Sequence, residues 1–240
     1  MKSRIILFSI LTFTVLGFTS CQKDELGIKF YYAENTNSAE KEVSQITAPL
    51  GDFTVTIKGG SGIYSVVSDN PEVLTAEIEN NTLKIAVYQI GVANLTISDS
   101  DLSSVLHLTI KESIAILHIR YIDSFVEIEG GNADVEKSIR DEIKATIEGE
   151  DRYELYFQKK NEGNLFLFKK NSEQKKGYFK TEYANEFIYL NIKYEDGKND
   201  ILRGKEGAWE QDFLDEYKLK YPELKLIKVV GYKMAQGIIG

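Results

Sequence analysis

Between residues 44 and 112 apolar side chains recur at every second position, in short runs broken by turn residues. Phe53, Val55 and Ile57 alternate with polar neighbours, as do Leu83, Ile85 and Val87, then Leu95 and Ile97, then Leu106, Leu108 and Ile110. A period of two places one side of a strand in a core and the other in water. The interruptions are residues that turn a chain: Gly59-Gly60-Ser61-Gly62, Ser68-Asp69-Asn70-Pro71, Asn80-Asn81, Gly91 and Asp99-Ser100-Asp101. Short strands with a turn every ten or so residues predict an antiparallel sandwich over 44–112.

Three stretches of this segment carry a resemblance. Gly60-Ser61-Gly62-Ile63-Tyr64-Ser65-Val66, Ser68-Asp69-Asn70-Pro71-Glu72-Val73-Leu74 and Gly91-Val92-Ala93-Asn94-Leu95-Thr96-Ile97 resemble the bacterial immunoglobulin-like domains of surface proteins. The resemblance implies an all-β immunoglobulin-like sandwich without a disulfide, used as a spacer or binding module. A fold of this kind does not by itself define an activity.

The start of the chain has a different logic. Lys2 and Arg4 precede an apolar run from Ile5 to Gly17, which is shorter than the roughly 20 residues a membrane span needs. A basic start, a short apolar stretch and small residues after it are the layout of a cleaved leader over 1–20. Phe18-Thr19-Ser20-Cys21 resembles the lipobox of bacterial lipoproteins, with Phe18 where Leu is usual. That implies lipidation of Cys21, the only cysteine in the chain. Gln22, Lys23, Asp24 and Glu25 resemble the acidic tag that, in one large group of Gram-negative bacteria, sends lipoproteins across the outer membrane to face outward. The expected partner is thus a membrane, held through an N-terminal lipid. Residues 21–43 read as the lipidated cysteine and a polar tether, apart from Ile28 to Tyr32, which is apolar enough for a short strand.

Charge narrows the partners further. With 29 basic and 37 acidic residues the formal net charge is −8, and it is two units more negative once Lys2 and Arg4 leave with the leader. An acidic balance argues against nucleic acid, which demands a basic footprint.

Residues 113–240 change pattern. Val135, Ile139, Ile143 and Ile147 recur every four residues, the apolar stripe of an amphipathic helix. Asn132 is placed to cap it, and Asp134 and Glu136 suit the positive end of its dipole. Strands are predicted at 114–121, 125–129, 153–158, 164–168, 177–183, 186–194 and 224–232. A second helix is predicted over 208–221, with Trp209, Phe213 and Tyr217 on one face. The expectation is an α+β domain, an antiparallel meander with helices on one face.

No catalytic constellation emerges. His107 and His118 sit on strand patterns away from any nucleophile or acidic partner, and two histidines with one cysteine give no zinc ligand set. Acidic residues fall on wet faces and turns. No catalytic residue, metal or cofactor is therefore expected. Aromatic residues are the unusual excess after Tyr121, and in the strands they occupy both phases. Either both faces of the sheet are covered, or one exposes rings, with Tyr156, Phe166, Phe168 and Tyr189 as a candidate platform for a glycan or protein ligand. The functional expectation is a non-catalytic binding or presentation module at the cell surface. The alternative is a small enzyme, or an inhibitor of enzymes, in 113–240.

Overall fold

The computed structural model describes residues 27–239, except 36, 148–149, 170–172 and 206–207. The leader, Cys21 and the tag Gln22, Lys23, Asp24 and Glu25 lie outside the described residues. The described chain is mostly β.

The first unit is a sandwich of two sheets. One contains β1 (Lys29–Tyr32), β2 (Lys41–Val43), β4 (Phe53–Lys58), β6 (Leu74–Glu79) and β7 (Thr82–Val87), in the order β2-β1-β4-β7-β6. The other contains β3 (Gln45–Pro49), β5 (Ser65–Ser68), β8 (Gly91–Ser98) and β9 (Ser103–Lys111), in the order β3-β9-β8-β5, with β3 parallel to β9. The alternating residues face each other between the sheets: Val55, Ile57, Leu83, Ile85, Leu95, Ile97, Leu106 and Leu108 are all buried in one cluster. The tether expected over 21–43 ends sooner than its polar composition implied. Phe30 is 2% exposed and pairs with Ile57 on one side and Val43 on the other, so residues 29–32 lie inside the first sheet and residues 41–43 form its edge. The burial of one ring outweighs the polar residues around it.

Only Glu112 separates β9 from β10 (Ser113–Glu129), the first strand of the second unit. Seven more strands follow: β11 (Glu150–Lys159), β12 (Glu162–Phe168), β13 (Lys175–Ala184), β14 (Phe187–Tyr194), β15 (Asn199–Lys205), β16 (Ala208–Asp212) and β17 (Leu226–Ile239). Each pairs antiparallel with the next, and β17 returns to β10, so the sheet closes into an eight-stranded barrel. The antiparallel meander expected over 113–240 is thus closed on itself, which corrects the layer of helices on one face of a sheet. Tyr153, Leu155, Leu165, Leu167, Phe179, Leu190, Ile192 and Leu202 form the barrel interior.

Helix α1 (Ala133–Ile147) stands where the apolar stripe put it. Asn132 caps it: its Oδ1 accepts the N–H groups of Asp134 and Val135 at 3.1 and 3.0 Å. Ile139 and Ile143 are fully buried and join the barrel core with Val126, Leu224 and Ile227. Emptying either isoleucine would cost about 2–5 kcal/mol. Gly130, at φ +87°, makes the turn into this connection; a Cβ there would lie 2.4 Å from the Glu223 carbonyl oxygen.

The second predicted helix is as much strand as helix. Residues 208–212 form β16, and only α2 (Leu214–Lys218) is helical. Trp209, Gln211 and Phe213 pack toward the barrel interior, with Gln211 4% and Phe213 6% exposed. A spacing of four residues is a multiple of two, so Trp209 and Phe213 satisfy a strand as well as a helix. Gln211, polar yet buried between them, hid the alternation.

Candidate functional site

The two ends of the barrel differ. At one end lie α1, α2 and the β14–β15 turn at 195–198. At the other lie the start of β10, the β11–β12 turn at 160–161 and the β13–β14 turn at 185–186. The first end is filled by Tyr153, Tyr194, Ile139 and Phe213. The second carries small residues at inward positions, Ala115 and Gly204; the Trp209 ring packs over Gly204, and a cavity of about 250 Å³ remains beside Ala115.

Leu117, Leu155 and Leu190 form the inner part of this cavity, and Phe157, Ile188 and Trp209 its walls. Phe157 is held by an edge-to-face contact with Phe179, ring centroids 4.8 Å apart. Thr181, Tyr183, Glu186 and Lys205 bring polar groups to the opening. Lys205 Nζ lies 2.8 Å from the Glu186 carboxylate and 5.3 Å from the centre of the Phe187 ring. Glu186 occupies an unusual backbone position. It is the second residue of a two-residue hairpin turn in which Asn185 and Glu186 both have positive φ, +50° and +68°. Asn suits the first position, but glycine is the usual second residue.

The opening is tied to the sandwich. The backbone N–H and the hydroxyl of Thr181 both donate to the Asn161 carbonyl, at 2.7 and 3.2 Å. Next to it, the Lys160 N–H donates to the Tyr88 carbonyl at 2.8 Å, and Lys160 Nζ reaches Asp52 at 2.7 Å. The Ile90 N–H donates to the Gln158 carbonyl at 2.9 Å. One barrel turn thus bonds both to the rim of the cavity and to the sandwich loop.

The opposite end holds a buried polar group, Asp151, 5% exposed. Burial pushes its carboxyl above the usual range, against the pull of Lys169 at 3.4 Å and the Tyr153 hydroxyl. Nearby, the Tyr194 hydroxyl donates to Asp200 at 2.8 Å.

The four candidate platform rings all sit on the outer face of the barrel and are half-buried. Tyr156 and Phe166 meet edge to face at 5.3 Å. Phe168 lies further along the same strand beneath the Arg152 guanidinium, 4.2 Å from the ring centre, and Lys176 Nζ is 5.9 Å from Phe166. Tyr189 stands apart on β14, in a groove with Arg203, Glu210 and Lys228. The four do not form one surface. Long cationic side chains lie over Phe166 and Phe168, covering apolar ring with their stems and charge. Gly204, Lys205 and Glu186 were not singled out from the sequence, and Trp209 was named only on the face of the second predicted helix. The signal that could have found them is a glycine and a tryptophan facing each other across a short turn, Gly204 paired with Trp209.

No protein-family model and no curated protein matches the chain. Among solved structures, one that matches is domains 5–6 of the S-layer protein SbsC, 11% identical, at a TM-score of 0.25, covering 80% of this chain and 93% of that one.

Proposed function

We propose that this chain is a non-catalytic binding protein, anchored by a lipid on Cys21 to the outer membrane of a Gram-negative bacterium and facing outward. In this reading the immunoglobulin-like sandwich is a spacer, and the barrel binds one small, largely apolar molecule at its mouth. The observation that carries it is the cavity: an interior that eight strands leave just wide enough to fill with side chains or with one small ligand, left open at the end where Ala115 is small. A concave apolar site with a few polar groups at its edge is the usual form of a small-molecule site.

Trp209 is the only tryptophan in the chain and lines the cavity. Titration with 1-octanol should therefore shift its emission saturably, and Ala115→Leu, which fills the space, should abolish the shift. A flat titration of folded wild type would remove the binding reading. The anchor is tested separately: an alkyne fatty acid should label wild type and not Cys21→Ala.

A further inference from the structure

We propose that the barrel mouth selects a small carboxylate: an apolar body of on the order of ten non-hydrogen atoms in the cavity, with its anionic group on Lys205. The proposal rests on the cavity being a ligand site and adds the chemistry of the head group.

Size comes first. At about 250 Å³ the cavity lies just below the roughly 300–1,000 Å³ of sites for drug-sized ligands, so its occupant is correspondingly small. The inner surface of Leu117, Leu155, Phe157, Ile188 and Leu190 offers no charge. The polar part of the occupant must therefore sit at the opening.

Among the described residues two charged side chains line that opening, Lys205 and Glu186, and they are not equivalent. Lys205 is the more sheltered, 37% exposed, with its ammonium beside the Phe187 ring. Glu186 is 80% exposed, at the tip of the turn. An ion pair this exposed contributes little, so its carboxylate is readily exchanged for another. A ligand carboxylate entering the mouth would take the place of the Glu186 side chain on Lys205, while the displaced Glu186 stays hydrated. A ligand ammonium would have to leave Lys205 without its counter-charge and rely on the exposed Glu186. Tyr183, which also lines the opening, carries a hydroxyl that can donate to a carboxylate. A charge-assisted hydrogen bond is roughly twice as strong as a neutral one, which separates an acid from an alcohol of the same chain.

Octanoate, 1-octanol and octylammonium differ only in this group and can be titrated against Trp209 emission at neutral pH, with calorimetry as a second readout. Octanoate should bind about tenfold more tightly than octanol, and octylammonium most weakly. Lys205→Met should bring octanoate to the octanol value while leaving octanol within about twofold. Glu186→Gln should tighten octanoate. Equal affinity for octanoate and octanol, or the same octanoate affinity in Lys205→Met, overturns the head-group assignment and leaves the cavity reading intact. Tightest binding of octylammonium also overturns it and gives the role to Glu186. Failure of all three ligands overturns the cavity reading itself.

Discussion

The Trp209 indole lies against Gly204, its cross-strand partner, so closely that a Cβ on Gly204 would sit 2.9 Å from Cε2 and 3.0 Å from Cδ2. Gly204→Ala must therefore move the ring. Trp209 should lose its packed position in the wall, at the cost of about 1–3 kcal/mol typical of overpacking. Urea denaturation followed by the emission of Trp209 reads both effects, and an unshifted spectrum with unchanged stability would refute the contact.

Lys160 and Asp52 join the barrel to the sandwich at 2.7 Å, but both side chains are about half exposed. A double-mutant cycle of Asp52→Asn and Lys160→Met should give a coupling of about 0.2–1 kcal/mol. Its pH dependence has a definite sign. The Lys160 ammonium, then the Val87 N–H, hold the Asp52 carboxyl below its ordinary range. The coupling is present in full above the unfolded carboxyl value of about 3.9 and is lost as pH falls through the lower folded value. A coupling that grows on acidification would contradict the pairing.

Glu186 occupies a left-handed position that costs a side chain about 1–2 kcal/mol and glycine almost nothing. Glu186→Gly gives up the exposed contact to Lys205 and some unfolded-state entropy, yet should raise stability by about 0.5–1 kcal/mol. Thermal melts decide this. A melting temperature below that of wild type would mean that the ion pair outweighs the backbone strain.

Local periodicity was legible wherever one face of an element meets a core. Val55, Ile57, Leu95 and Leu108 alternate with polar residues and are buried, and Ile139 and Ile143 recur at helical spacing and are buried. Closure of the barrel was not legible, because it rests on pairing Ile114 with Ile239 and Glu129 with Leu226, and no local pattern reports a contact over that separation. The loss of β16 to a helical spacing also removed the strand that bridges β15 to β17. The aromatic residues in both phases now have a reason: Tyr153, Phe157 and Phe179 fill the inside, while outside Phe168 lies under Arg152, Phe166 near Lys176, and Tyr156 edge to face with Phe166. The cavity was hardest to see, since it opens beside a side chain as small as Ala115.

Pairing of Ile114 with Ile239 brings the first and last residues of the barrel side by side at the cavity end. The barrel is therefore entered and left through one doorway. Anything fused after Ile239 would hang beside the opening and crowd it, whereas an affinity tag inserted in the turn at 195–198 would sit at the far end and leave the opening clear. The same adjacency makes the barrel a natural cassette. It could be cut at the β14–β15 turn and rejoined across Ser113 and Ile239 by a short link, with every ladder of the closed sheet retained.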